Sequence, residues 1–328
     1  MSLPSGDVVV TGAGTRPRLE GAAPPVALPA PAAERLPRVE RLSQLALEAA
    51  ADALAQAGLG TPAASRDRTG VVLGTAFGCF LTNAAHAGRL CERGPQGVSP
   101  RLFAATVSNA AAGEVAIAFG LAGPGVTLTA GAASGLVALG HAADLLAAGR
   151  AEAVLAGGLD ATGETLAAWV AAGGLDAGRP LAEAAALLVL ESRATARERG
   201  APVRAGLLGH AAGFAGDLDA PRAADVLDHV AARACERAGL APEALDVVVR
   251  AAPPAYTAME TGVLRSRAPK ASRVLSPKDM LGETLGAAGP LGLLMALQDA
   301  PAGALVLVLD VCPSGHVAAL VARAGDAT

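Results

Sequence analysis

Aromatic residues are nearly missing from this 328-residue chain, which carries one Trp, one Tyr and five Phe. Alanine, leucine and valine dominate instead, a bias that reads as the mark of a GC-rich genome more than of a function. Charge is scarce as well. Charged residues make up 17% and the formal net charge is −4, so nothing favours a nucleic-acid partner or a membrane surface. Four cysteines (Cys79, Cys91, Cys235, Cys312) lack metal-ligand spacing, which argues against a metal centre and suits a reduced, cytoplasmic setting. No apolar run reaches the roughly 18 to 20 residues of a membrane span without Gly or charge breaks. The polar stretch Met1 to Asp7 has neither the basic nor the apolar region of a signal peptide. Apolar side chains are what the sequence has in quantity. At 52% hydrophobic it can bury a large core, as one big domain or two tightly joined halves.

Asp7 to Gly14 reads as a buried strand ending in a glycine turn. Gly12-Ala13-Gly14 invites a dinucleotide-binding reading, but Arg16 and Pro17 follow where that fingerprint needs a helix N-terminus, so a first core strand is the better reading. Gly21 to Pro37 has no periodicity and is expected as a loop or extended cover. From Arg38 to Gly58 the pattern Leu42, Leu45, Ala46, Ala49, Ala53, Leu54 predicts an amphipathic helix. Arg68 to Gly74 is a strand, Thr75 to Leu90 turns helical after Gly78, and Leu102 to Gly120 is expected as one helix holding Asn109. Ala161 to Leu181 reads as a glycine-rich connection, Ala184 to Glu191 as a strand, and Thr195 to Gly200 as a short charged segment. A second round follows: Val203 to Ala212, a helix from Ala220 to Gly239, a strand from Leu245 to Arg250, and a helix from Leu291 to Gln298. Ala304 to Asp310 and His316 to Val321 then close a hairpin around Cys312. Alternation of this kind predicts an α/β fold with mostly parallel sheets.

Gly123 to Asp160 organises the rest. Val126 to Thr129 is a short β-branched strand, Ala130 to Gly135 is a run of small residues fit for a tight turn, and Leu136 to Gly149 is a helix. Ala153 to Asp160 is a buried strand. A strand-to-helix elbow in an α/β sheet is a usual seat for a nucleophile. Here the elbow residues are Ala130, Gly131, Ala132 and Ala133, which offer none.

This stretch resembles the active-site segment of the β-ketoacyl synthases, the condensing enzymes of fatty-acid and polyketide synthesis. Their Thr-Ala-Cys-Ala-Ser-Gly becomes Ala130 to Gly135, with Ala132 in the cysteine's place. Further markers are Val8 to Gly14, Gly70 to Gly78, Asn109 to Gly113, Leu187 to Glu191, Lys278 to Gly289 and Gly315 to Leu320. The resemblance implies a thiolase-type fold, two pseudo-repeated halves (residues 1–200, with the elbow and a dimer-interface strand, and 201–328) in five αβαβα layers. It also implies three catalytic side chains. A cysteine carries the acyl chain as a thioester, and two histidines serve decarboxylation of the extender and stabilisation of the enolate. Ala251 stands at the first histidine position, where the loop also looks about two residues shorter. Glu283 stands at the second, after Lys278 and Gly282. Neither alanine can titrate, and Glu283 could replace a neutral imidazole as donor only with a strongly raised pKa. Ser134 is the family's helix-opening serine and is expected to be structural. His316 matches a mostly structural family histidine, and His86, His141, His210 and His229 have no partner motif.

The resemblance therefore suggests a catalytically silent subunit, the chain-length factor of a type II polyketide synthase. Such a subunit forms a heterodimer with an active ketosynthase, completes its acyl tunnel and limits product length. It needs no cofactor of its own, since the phosphopantetheine is carried by an acyl carrier protein that docks mainly on the active partner. By similarity, Asn109 and the strand residues Val126, Thr127, Leu128 and Thr129 belong to the interface. Phe77, Phe80, Asn83, Ala84, Ala87 and Ala112 belong to the tunnel. Phe77 and Phe80 read as stoppers and Ala84 and Ala87 as room, which fits a medium-length or extended product such as a polyene. Two alternatives stay open: a stand-alone acyltransferase with a relocated nucleophile (Cys79, Cys312 or Glu283), or a homodimeric scaffold that binds acyl carrier protein.

Overall fold

The computed structural model describes residues 7–60, 66–173, 178–216, 219 and 222–325. Its strands are β1 (Val8–Arg16), β2 (Thr69–Gly74), β3 (Gly125–Leu128), β4 (Ala153–Asp160), β5 (Ala184–Ser192), β6 (Ala205–Phe214), β7 (Val247–Val249), β8 (Arg273–Leu275), β9 (Leu305–Val311) and β10 (His316–Ala324). The helices are α1 (Ala30–Arg35), α2 (Arg41–Gln56), α3 (Phe80–Arg93), α4 (Pro100–Ala104), α5 (Ala110–Phe119), α6 (Ser134–Ala147), α7 (Glu164–Ala172), α8 (Arg193–Glu198), α9 (Arg222–Ala238), α10 (Thr257–Arg267), α11 (Pro277–Leu281) and α12 (Ala288–Asp299).

The strands hydrogen-bond in the order β3-β2-β4-β5-β1-β6-β10-β9-β7-β8. Numbered within its own half, each set of five reads 3-2-4-5-1, and the two sets meet head to head at β1 and β6. Side chains fill the spaces in the same symmetric way. One core lies between α2, α5 and the outer face of the first half; another lies between α9, α10 and the outer face of the second. A third, central core contains Leu136 and Leu139 of α6, Leu293 and Ala296 of α12, and strand residues of both halves from Val8 to Ala322. These three cores separate five layers, helix–sheet–helix–sheet–helix. Matching glycines preserve the symmetry at close quarters. A Cβ on Gly12 would lie 2.1 Å from the Ala53 carbonyl oxygen of α2, and one on Gly209 would lie 2.2 Å from that of Ala234 in α9. Only a bare Cα lets helix and strand approach so closely.

Several expectations change. The sheet is mixed: β2–β3, β2–β4, β7–β8 and β7–β9 are parallel, whereas β5, β1, β6, β10 and β9 run antiparallel to their neighbours in the middle. The return strand at the end of each half is what hydropathy cannot orient. The helix expected over Leu102 to Gly120 is two helices, broken at residues 105–109, so Asn109 precedes α5. The connection Ala161 to Leu181 contains α7, which buries Leu166 and Val170 on one face. The cover Gly21 to Pro37 contains α1, and the charged segment after β5 is α8. The polar residues 1–6, residues 174–177 of the connection, and Ala220 and Pro221 at the expected start of α9 lie outside the described residues.

Candidate functional site

The elbow forms because β3 ends against residues too small to continue it. Gly131 has φ of +56°, a conformation that costs an L side chain about 1–2 kcal/mol. A Cβ there would also lie 2.1 Å from Cys312 Sγ. Ser134 accepts a hydrogen bond from the Ala130 N–H (2.8 Å), and its own hydroxyl reaches the Gly131 and Thr75 carbonyls (2.6 and 3.0 Å). Its oxygen thus ties the turn together from within, rather than capping the first N–H groups of α6.

Ala132 lies in this turn, buried, on the wall of a cavity of about 240 Å³. The other walls are mainly Phe77, Val170, Leu181, Glu283, Leu285, Cys312 and Pro313. Two of the three positions to which the resemblance assigns catalytic side chains, Ala132 and Glu283, therefore meet at one cavity. Ala251 does not line it. That residue is buried behind, its N–H donating to Glu260 Oε1 at 3.1 Å.

Glu283 is fixed from several sides. Its Oε2 lies 3.0 Å from Lys278 Nζ, both side chains being almost fully buried, and its Oε1 accepts the Leu285 N–H at 2.9 Å. Its backbone bridges Leu181: the Glu283 N–H donates to the Pro180 carbonyl and the Ala182 N–H to the Glu283 carbonyl. Leu285 takes φ of +51°, so this turn also stores about 1–3 kcal/mol of backbone strain at the cavity wall. Both Glu283 oxygens are thus engaged within the wall, one beside the Lys278 Nζ and one accepting the Leu285 N–H.

A buried charged group that sequence reasoning missed lies behind the wall. Lys278 faces not only Glu283 but also Glu260 and Asp310, all buried. Burial pushes the Asp310 carboxyl up to about 8, with Lys278 working against it and Glu283 and Glu260 adding to it. Glu260 is pushed up to about 7 by burial, opposed by the N–H groups of Ala252 and Ala251. Asp160, at the end of β4, is a second such residue. Its carboxylate accepts from Thr75 Oγ1 (2.7 Å), the Phe77 N–H (3.0 Å) and the Gly286 N–H (2.9 Å), joining the two loops that carry Phe77 and Leu285. Burial raises it to about 6, against those bonds. The available signal for Asp160 was a single acid ending an otherwise apolar strand.

Of the tunnel residues expected by similarity, Phe77 lines the cavity. Phe80 packs on Phe77 with ring centroids 6.1 Å apart, and both rings meet Trp169 of α7, at 5.8 and 5.5 Å. Asn83 and Ala87 are exposed on α3 and Ala84 is half-buried, and none of the three lines the cavity at Ala132. Ala112 is buried in the core between α2 and α5. β3 lies at the sheet edge, paired on one side with β2 alone; Val126, Thr127 and Leu128 are half-buried, and Asn109 and Thr129 are exposed. Phe103, Val107 and Ile117, around the neighbouring helices α4 and α5, are large apolar side chains left at least half exposed. Thr127 Oγ1 is buried without a hydrogen-bond partner among the described residues.

A model of the β-ketoacyl synthase N-terminal domain matches residues 29–196, which include α2, the elbow and β5. The chain belongs to the β-ketoacyl synthase family. Among curated members, a 3-oxoacyl-[acyl-carrier-protein] synthase 2 of Vibrio harveyi is 30% identical over 283 residues, covering 77% of this chain and 67% of that protein. The synthase of the same name from Staphylococcus aureus is also 30% identical, over 77% of this chain and 69% of its own length. Solved ketosynthase structures share the thiolase-type fold. A type II polyketide synthase acyl-carrier protein in complex with its ketosynthase bound to the hexaketide matches with a TM-score of 0.83 at 21% identity, covering 99% of this chain and 100% of that one. The ishigamide ketosynthase/chain length factor matches with a TM-score of 0.80 at 21% identity, over 98% of this chain and 100% of that one. A β-ketoacyl synthase from Burkholderia phymatum matches with a TM-score of 0.82 at 22% identity, over 99% and 100%.

Proposed function

We propose that this β-ketoacyl synthase relative is a non-condensing subunit that pairs with an active ketosynthase, completes its acyl tunnel and limits polyketide chain length. The observation that carries the reading is Ala132, a methyl group at the elbow inside an otherwise well-formed cavity. The locked carboxylate of Glu283 supports it. A ketosynthase/chain length factor pair among the structures of like fold supports the kind of partner. On this reading the free edge of β3 and the apolar side chains around α4 and α5 form the contact with the ketosynthase, since an unpaired edge strand is a ready template for pairing. Asn83, Ala84 and Ala87, turned outward on α3, then become tunnel wall only within the pair. The phosphopantetheine arrives on an acyl carrier protein bound mainly to the partner. The mirrored strand order supports a division into halves at 1–200 and 201–328.

Product analysis tests this. The isolated chain should neither decarboxylate nor condense malonyl thioesters, and the pair should do both. Phe77→Ala, which opens the cavity toward Phe80 and Trp169, should lengthen the product by excluded-volume relief. Unchanged product length with Phe77→Ala, in a pair of unchanged activity, would contradict the tunnel role. Condensation by the isolated chain would contradict the whole reading.

A further inference from the structure

The cavity holds a thiol even though the elbow does not. Cys312, in the turn between β9 and β10, lines the wall with Ala132, and its Sγ occupies the space directly against Gly131. Ser314 Oγ lies 3.1 Å from Cys312 Sγ and 3.1 Å from His316 Nδ1. As it stands the Ser314 hydroxyl donates to Cys312 Sγ; rotated to donate to His316 Nδ1, the same oxygen can accept the thiol proton, which gives a proton path from thiol to imidazole. The His316 ring is held by Phe214, with centroids 4.9 Å apart, and the turn by the Cys312 N–H bonded to the His316 carbonyl (2.8 Å). The other cysteines are placed differently. Cys79 Sγ contacts the Thr106 carbonyl and Asn83, Cys235 is on the buried face of α9, packed in the core, and Cys91 is exposed on α3.

We propose that Cys312, with Ser314 and His316 as its proton relay, is an acyl-accepting thiol that faces the cavity vacated at Ala132. The inference takes its substrate class, acyl thioesters, from the function proposed above. In the step, the Cys312 thiol gives its proton to Ser314 Oγ while Ser314 gives its own to His316 Nδ1. The thiolate attacks the thioester carbonyl, the bond from that carbonyl to the carrier sulfur breaks, and the departing thiolate recovers a proton from His316 through Ser314. No oxidant or reductant is involved. Condensation would still need donors for an enolate oxygen, and both Glu283 oxygens are engaged within the wall, so the acyl group is held or handed back rather than extended.

The experiment uses the full chain incubated with S-hexanoyl-N-acetylcysteamine, with the acyl group located by peptide mass spectrometry and released with hydroxylamine. The expected result is a hydroxylamine-labile hexanoyl group on Cys312, absent from Cys312→Ala. Rates of iodoacetamide labelling at Cys312 and at the exposed Cys91 are then compared between pH 6 and 9. Ser314→Ala and His316→Gln should each slow Cys312 labelling at neutral pH by roughly tenfold or more and move its pH profile upward, leaving Cys91 unchanged. Acylation confined to Cys91, or a Cys312 profile indifferent to both variants, overturns the proposal. Cys312→Ala should still associate with a ketosynthase. A wild-type chain that associates with the ketosynthase but takes no hexanoyl group on Cys312 is a failure of this inference alone, whereas absent association of the wild-type chain is a failure of the function on which it rests.

Discussion

Replacing Asp310 by asparagine is the most informative perturbation of the buried charges. Asp310 is fully buried on β9, and neither carboxyl oxygen has a well-aligned hydrogen-bond partner among the described residues. Burial raises it from an ordinary value of 3.8 to about 8. Glu260 is raised to about 7 and Asp160 to about 6, chiefly for the same reason. All three have folded values above their unfolded ones, so the native state holds more protons than the unfolded chain over this range. Stability therefore falls as pH rises, by about 1.4 kcal/mol per pH unit for each proton still held by the fold and already lost by the unfolded chain. Asp160 drops out above about pH 6, Glu260 above about 7 and Asp310 above about 8. Between pH 6 and 8 the loss is at most about 4 kcal/mol, reduced by any relaxation or water entry around the cluster. Against a typical domain stability of about 5–15 kcal/mol that is a large fraction. Asp310→Asn removes one titrating group without removing a good hydrogen bond, and should take up to about 3 kcal/mol out of that slope. Urea denaturation at pH 6, 7 and 8 measures it. A wild-type stability that is flat or rising over this interval, or an Asp310→Asn slope equal to the wild type's, would refute the reasoning.

Two other substitutions test the geometry around the cavity. Lys278→Met leaves Glu283 buried without its cation and should destabilise the chain by about 3–5 kcal/mol in denaturant titration, with Lys278→Met/Glu283→Gln recovering part of the loss. Gly131→Ala forces a methyl group against Cys312 Sγ at positive φ and should cost about 2–4 kcal/mol by thermal or chemical melts. Trimming Cys312 to alanine in the same chain should return a fraction of that cost.

Much of the fold could be read from local pattern. β-branched Val126 to Leu128, the small residues after them and the apolar spacing of α6 each specify their own conformation, so the elbow lies where the sequence put it. α7 escaped because Gly163, Gly173 and Gly174 made the region look like a loop, while Leu166 and Val170 carried the weaker helical signal. β8 is only three residues long, too short to show a period, and α10, with its mixed apolar and charged composition, gave little periodic signal. Strand direction in the middle of the sheet was also out of reach, because buried strands of either direction show the same continuous apolar run. At the site, Ala132 and Glu283 were legible by resemblance to a familiar motif. The grouping of Glu260, Lys278, Glu283 and Asp310 was not, since residues spread over fifty positions are brought together by the packing of α10, α11 and β9. Cys312 was legible as a turn residue and a candidate relocated nucleophile, and Ser314 only as a member of that turn; their approach to His316 and to Gly131 is a product of the fold.

The central claim is that this chain works as the silent member of a pair. It is tested most directly by co-expressing the chain with an intact ketosynthase from the same genome, purifying through a tag on one of them, and measuring stoichiometry and condensation together. A stable one-to-one complex that condenses malonyl units only when both chains are present is the predicted result. A homodimer of this chain that ignores the ketosynthase, with the ketosynthase fully active alone, would contradict it.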